Sequence, residues 1–214
     1  MSRRRFDFLL LSGTAVLPVA VASYAAAFVL DPDHDFIAET VSKLAVPGRP
    51  QAAAVGIGLV VVGILLVAFA HGLRRTFGAA RWSRPAFVAF IAAGLLMIVG
   101  AFFPDDPAGT ARRSGPGWAH DIIFSAVFAA AVAGAAASSI SAWQRGERSL
   151  ARAAIAVAGV LVVAEIALRG GTGFADGLLE RLAAFGFVGW VSFASWRLQR
   201  TAARAGRSPS VAGR

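Results

Sequence analysis

The 214-residue chain contains no cysteine, so a disulfide framework, a thiolate metal site and a cysteine nucleophile are all excluded. Charge is also scarce, at 15% of residues against about 25% in ordinary soluble domains. Three histidines and two methionines leave few ligands for a metal, and neither a metal nor a cofactor is expected. What fills the chain instead is apolar. Hydrophobic residues make up 57% and mean hydropathy is +0.66, more apolar surface than a soluble fold could hide. A net charge of +9 would suggest nucleic acid if the arginines formed a face on a polar domain. They sit in short segments between apolar runs, which is a topology signal, so the expected partners are membrane lipids and not nucleic acid.

Six runs reach the ~20 apolar residues needed to cross a bilayer. They are Phe8 to Leu30, Ala52 to Phe77, Pro85 to Phe103, Trp118 to Trp143, Leu150 to Leu168 and Gly177 to Leu198. Inside lipid only a helix satisfies its own backbone within one segment, and the runs are too long for barrel strands. The expected fold class is therefore all-α, a polytopic six-transmembrane-helix bundle. Residues 1–198 form one domain, followed by a basic, disordered tail over 199–214. Arg3-Arg4-Arg5-Phe6 superficially matches a twin-arginine export signal. The following run exceeds the 7 to 15 residues of a signal core, and it reads as a retained first helix.

Arg3, Arg4, Arg5, Arg74, Arg75, Arg81, Arg84, Arg145, Arg148, Arg152, Arg197, Arg200, Arg204, Arg207 and Arg214 fall on one side, leaving Lys43, Arg49, Arg112, Arg113, Arg169 and Arg181 on the other. The positive-inside rule then makes both termini cytoplasmic, in a multi-pass protein of the cell membrane. The long outer loop from Asp31 to Gln51 carries its own pattern. Asp35 can cap a short interfacial helix with Phe36, Ile37, Val41 and Leu44 on one face, stopped by Pro47, Gly48 and Pro50. The fourth helix is bracketed by Trp118 and Trp143 and carries Ala130 and Gly134 at small-xxx-small spacing, so it is expected to pack in the bundle centre.

The polar break from Phe102 to Asp121 gathers carboxylates, arginines and a histidine at the outer mouth. Ordinary turn chemistry accounts for Asp105 and Asp106 beside prolines. Charges within spans usually face a cavity or a partner, so Glu165, Glu180 and Arg181 join them as pocket candidates, with Lys43 near the mouth. Glu165 stands four residues before Arg169, helical spacing for an ion pair. Counting at 1.5 Å per residue puts both Glu165 and Arg181 about 6 Å below the outer surface, where they are expected to pair across the last two helices or share the pocket with His120. For catalysis the candidates are His120 as general base, Ser42 as nucleophile and Asp121 as the group orienting the histidine. Only His34 and His120 lie on the outer side, too few for a zinc hydrolase with its three ligands.

Several of these segments also resemble a known family. Ser42-Lys43-Leu44 with Pro47 and Pro50, Phe103-Pro104-Asp105-Asp106, His120, and Gly177-Leu178-Leu179-Glu180-Arg181-Leu182 are together similar to the bacterial membrane family called domain of unknown function 998. That family typically shows a Ser-x-Leu-Gly-x-Pro-like loop, a Phe-Pro-x-Asp turn, a histidine in the fourth helix and a Gly-Leu-Leu-Gln-Arg-like segment. Here Ala45 stands for the glycine and Glu180 for the glutamine. The resemblance implies six spans and no established activity. Three readings of function stay open: a protein acting on or binding lipid or a lipid-linked substrate in an outward-facing polar pocket, a small-molecule or proton-coupled transporter, and a non-catalytic lipid-binding or assembly subunit using Lys43 and Arg181 for anionic headgroups.

Overall fold

The computed structural model describes residues 3–107, 110, 112–171 and 175–205, with side chains described from 8 to 203 within these. Six helices make up the fold: α1 (Arg3–Leu30), α2 (Ala52–Phe77), α3 (Ser83–Gly100), α4 (Gly115–Gln144), α5 (Arg148–Gly170) and α6 (Asp176–Ala205). No strand occurs among the described residues. All six helices are long and apolar enough to cross a membrane. Even α3, with 18 residues, spans about 27 Å, close to the ~30 Å of a hydrocarbon core. The apolar runs thus become helices with ends a few residues from those expected. The exception is α6, which continues through Ala205 into the segment expected to be a disordered tail. Residues 206–214, with Arg207 and Arg214, lie outside the described residues.

The chain runs up and down as a closed ring. Each helix packs on its sequence neighbours, and α6 returns to pack on α1. This corrects the expected central place of α4, which is one stave among six with α3 and α5 beside it. Its small residues still serve close approach, since a Cβ on Gly134 would stand 2.9 Å from the Phe90 ring. The tightest crossing joins α2 to α3, where a Cβ on Gly63 would meet the Gly94 carbonyl at 2.5 Å and one on Gly94 the Gly63 carbonyl at 2.6 Å. Only glycine permits that contact between backbones.

Pro18 interrupts the hydrogen-bond ladder inside α1, and its missing N–H leaves the Thr14 carbonyl unpaired. Ser192 of α6 fills the gap. Its hydroxyl lies 3.0 Å from the Gly13 carbonyl and 3.3 Å from that of Thr14, and it accepts from Leu17 N–H at 3.1 Å. With no water in lipid to satisfy freed backbone groups, this contact closes the ring at α1 and α6.

The turn at the end of α2 places Gly78 at φ 55°, and Ser83 then donates to the Gly78 carbonyl at 2.7 Å as α3 begins. At the opposite end of the bundle the long α1–α2 loop differs from expectation. Asp35 does accept from the N–H groups of Ile37 (2.8 Å) and Ala38 (3.0 Å), but only a turn follows. The helical piece is a 3-10 segment, Val41–Ala45. Its Leu44 is fully buried with Ala27 and Val55, so the segment is a lid seated on α1 and α2.

Candidate functional site

At the loop end of the ring, residues far apart in the chain converge on Asp105. The turn Phe103-Pro104-Asp105-Asp106 closes α3 and leaves the Asp105 side chain 6% exposed. Its Oδ2 accepts from Lys43 Nζ at 2.7 Å and Ser42 Oγ at 3.0 Å, and its Oδ1 from Arg113 Nη1 at 2.5 Å and the Asp106 N–H at 2.7 Å. Burial pushes this carboxyl up, but hydrogen bonding and charge from Lys43, then Arg113, outweigh burial and hold its pKa below the usual range. Lys43 also donates to the Asp106 carbonyl at 2.8 Å. Asp106 accepts from Ser114 N–H at 2.9 Å, and Ser114 in turn caps α4 at Gly117 N–H. Arg113 completes the network with Asp121 at 3.0 Å. Asp105 therefore does more than shape a turn: it clamps the 3-10 lid to the start of α4.

Arg181 forms a second clamp, between α6, α1 and the loop. Only 2% of it is exposed. Its Nε donates to Tyr24 Oη at 2.6 Å, its Nη1 to the carbonyls of Phe36 and Glu39 at 2.8 Å each, and its Nη2 meets His34 Nε2 at 2.7 Å. The guanidinium carbon also stands 5.1 Å from the Tyr24 ring centroid and 4.5 Å from that of Phe36. Such closeness needs Gly177 one turn earlier, where an added Cβ would lie 2.2 Å from the Glu39 carbonyl oxygen.

The expected pairing of Glu165 with Arg181 is thus corrected. Glu165 pairs with Arg169 on its own helix at 2.7 Å, and Arg169 reaches Ser125 on α4. Rise per residue sets depth but not azimuth, and Arg181 lies on the side of α6 that faces α1 and the loop. Neither Arg181 nor Lys43 is left free to hold an anionic headgroup.

Beneath the lid lies a cavity of about 190 Å³ lined by all six helices and the 3-10 segment. Its wall includes Val55, Leu59 and Val62 of α2, Phe124 to Ala131 of α4, and Ala184 to Val188 of α6. His120, Ser42 and Glu180 stand at its loop end. Glu180 Oε2 accepts from Val41 N–H at 2.5 Å. His120, 7% exposed, points Nδ1 at the Phe103 carbonyl at 2.8 Å, so Nδ1 is the donor there and the neutral ring presents Nε2 as its acceptor. At the other end Phe187 stacks on Phe90 at 6.1 Å, and Phe90 packs on Phe69 and Trp190 at 5.4 and 5.8 Å. Of this aromatic group only Phe187 lines the cavity; the other three rings pack in the bundle core behind it. A separate polar recess of about 330 Å³ lies above the lid, lined by Glu39, Lys43, Asp106, Arg113 and Asp176 among others.

The residues read from sequence therefore divide. Ser42, His120 and Glu180 share the cavity; Lys43, Asp105 and Asp106 form the clamp above it; Asp121 joins the clamp through Arg113; Arg181 holds the loop; Glu165 stands apart. Ser42 bonds Asp105 and Thr40, and Asp121 bonds Arg113, so neither is hydrogen-bonded to His120. Tyr24, Arg113 and the His34–Glu39 pair carry roles that sequence reasoning missed. A tyrosine near the end of a first span was the one local signal for the first of these. No group of three or more His, Asp or Glu side chains suited to a metal occurs among the described residues.

An all-helical ring of six apolar helices with a polar-capped cavity defines a multi-pass membrane protein. Over residues 14–197 the sequence matches the family described as Protein of unknown function (DUF998), and the chain belongs to that family. No curated protein and no solved structure matches it. The segments carrying the family resemblance, around Ser42, Asp105, His120 and Glu180-Arg181, all meet at this one end of the bundle.

Proposed function

We propose that the protein binds a lipid or lipid-linked molecule in the six-helix cavity, with the apolar chain among α2, α4 and α6 and the polar end at Ser42, His120 and Glu180. The observation that carries this reading is the segregation of the cavity: an apolar wall with its polar groups near one end. From His120 to Ala131 the wall runs about 16 Å along α4, roughly half of a hydrocarbon core. Such a space offers water few hydrogen-bond partners, whereas a hydrocarbon chain regains the dispersion contacts that a void forfeits.

Binding is favoured over hydrolysis because Ser42 and His120 are each engaged elsewhere and form no nucleophile–base pair. It is favoured over conduction because the bundle core next to Phe187 is filled by the packed rings of Phe90, Phe69 and Trp190. The basic residues orient the protein in the cell membrane with both termini cytoplasmic and the lid outward. Reporter fusions at Pro47 are expected to read exterior and fusions at Ala80 cytoplasmic; the reverse pattern would invert the site.

Lipid extraction from purified protein tests the reading itself. Gly56 lines the cavity, and a Cβ there would meet only the Ala101 carbonyl, at 4.0 Å. Gly56→Leu is expected to fold and to lose the lipid that the unaltered protein retains. Equal lipid content in both would contradict occupancy of the cavity.

A further inference from the structure

We infer that the cavity selects a lipid with an uncharged, hydroxyl-bearing headgroup, such as an acylglycerol, and rejects one bearing phosphate. This rests on the reading of the cavity as a lipid site and adds the chemistry of the headgroup. No lysine or arginine is among the residues lining the cavity. Its polar end instead offers hydrogen-bond acceptors. His120 donates through Nδ1 to the Phe103 carbonyl, which leaves Nε2 as an acceptor with no protein partner among the described residues. Glu180 spends Oε2 on Val41 N–H, and its Oε1 likewise has no protein partner among those residues. Two acceptors on residues that line the cavity with Ser42 suit a headgroup that brings donors, and a glycerol diol brings two.

Phosphate fails on the same inventory. The three cations nearest the lid are committed: Lys43 to Asp105 and the Asp106 carbonyl, Arg113 to Asp105 and Asp121, and Arg181 to Tyr24, His34 and two loop carbonyls. Turning Lys43 or Arg113 toward a ligand would strip charge from the buried Asp105. An unpaired buried carboxylate is costly, so the network resists the exchange. The recess above the lid offers no better place, since three carboxylates, Glu39, Asp106 and Asp176, line it with the two committed cations Lys43 and Arg113. A phosphate at the cavity mouth would also stand beside the Glu180 carboxyl. Specificity thus comes from the lack of a free cation for the wrong headgroup together with acceptors for the right one.

The matched probes are 1-oleoylglycerol and 1-oleoylglycerol 3-phosphate, which share one chain and differ by the phosphate. Each is titrated into delipidated full-length protein in detergent and bound lipid is counted by native mass spectrometry. Gly56→Leu and Ala184→Leu serve as two independent cavity-filling controls, and Glu180→Gln as the variant that replaces an acceptor oxygen with an amide donor. The expected result is that the glycerol lipid binds roughly tenfold or more tighter than its phosphate. Binding should fall in both filled variants, and Glu180→Gln should narrow the preference by giving the phosphate an amide donor. Equal or tighter binding of the phosphate to the unaltered protein overturns the headgroup inference while leaving the cavity reading standing. Binding of both lipids undiminished in both filled variants, or no binding at all, overturns the cavity reading and the inference with it. A preference unchanged by Glu180→Gln overturns the role given to that carboxyl.

Discussion

Arg181 Nη2 and His34 Nε2 face each other at 2.7 Å, and that contact sets the protonation of the histidine. A guanidinium has only donors, so Nε2 must accept, and the ring proton sits on Nδ1, 3.0 Å from Glu39 Oε2. His34 is therefore neutral in the folded protein. Burial lowers its pKa first of all; Glu39 opposes that, Arg181 adds to it, and Asp31 and Asp35 act weakly upward.

A pH dependence follows with a definite sign. A histidine whose folded pKa lies below its unfolded value of about 6.5 contributes stability that is present above that value and lost as pH falls toward the folded pKa. Thermal stability in detergent should decline as pH is lowered from 7 to 5. His34→Gln, which cannot take a proton, should show a shallower decline over that window. Parallel curves would mean that His34 does not titrate with unfolding.

Glu165 and Arg181 should behave as independent sites. Arg181→Gln removes hydrogen bonds from a charged donor, each worth about 1.5–3 kcal/mol, and should lower thermal stability markedly. Arg181→Lys should rescue little, because one ammonium cannot reach acceptors on α1 and the loop together. Glu165→Gln touches a single pair with the exposed Arg169 and should lower stability by less than Arg181→Gln does. Their effects should add in a double-mutant cycle. A double variant more stable than Arg181→Gln alone would restore the direct pairing that the geometry denies.

Asp105 makes the acid-side prediction. Its folded pKa lies below the unfolded value of about 3.9, so its stabilising contribution is present above that pH and lost as pH falls through the folded pKa. Asp105→Asn should be clearly less stable than the unaltered protein at pH 7, and the gap should close on acidification below about pH 4. A gap that stays constant to low pH would mean that the clamp does not depend on the carboxylate charge.

The spans were legible because apolar length is a local property, and Ala52–Phe77 needed nothing beyond its own residues to be recognised. The lid was partly legible: Asp35 and Leu44 announced a cap and a buried face, but the 3-10 geometry arises from docking on Ala27 and Val55. Depth could be counted for Arg181, but not which way its side chain points, because the rotation of a helix is set by packing against others. Asp105 and Arg113 lie eight residues apart in one polar break, but Lys43 reaches Asp105 from a different loop, and spacing along the chain holds no trace of that contact. Turn chemistry was a fair reading of Asp105-Asp106 locally and incomplete for the same reason. Pro18 gives the opposite case: its missing N–H is plain from the sequence, but Ser192 as its remedy is not.

The most direct test of the central claim is to find where a lipid chain touches the protein. A photoreactive long-chain alcohol with a diazirine midway along the chain can be equilibrated with the purified protein, irradiated and mapped by peptide mass spectrometry. Occupancy of the cavity predicts adducts on its wall, at Val55, Leu59, Val62, Phe124, Val127, Phe128, Phe185 and Val188, and their loss in Gly56→Leu. Adducts confined to outward-facing Ile64, Val163 and Ile166, unchanged by that substitution, would show that lipid only coats the bundle and would contradict the account.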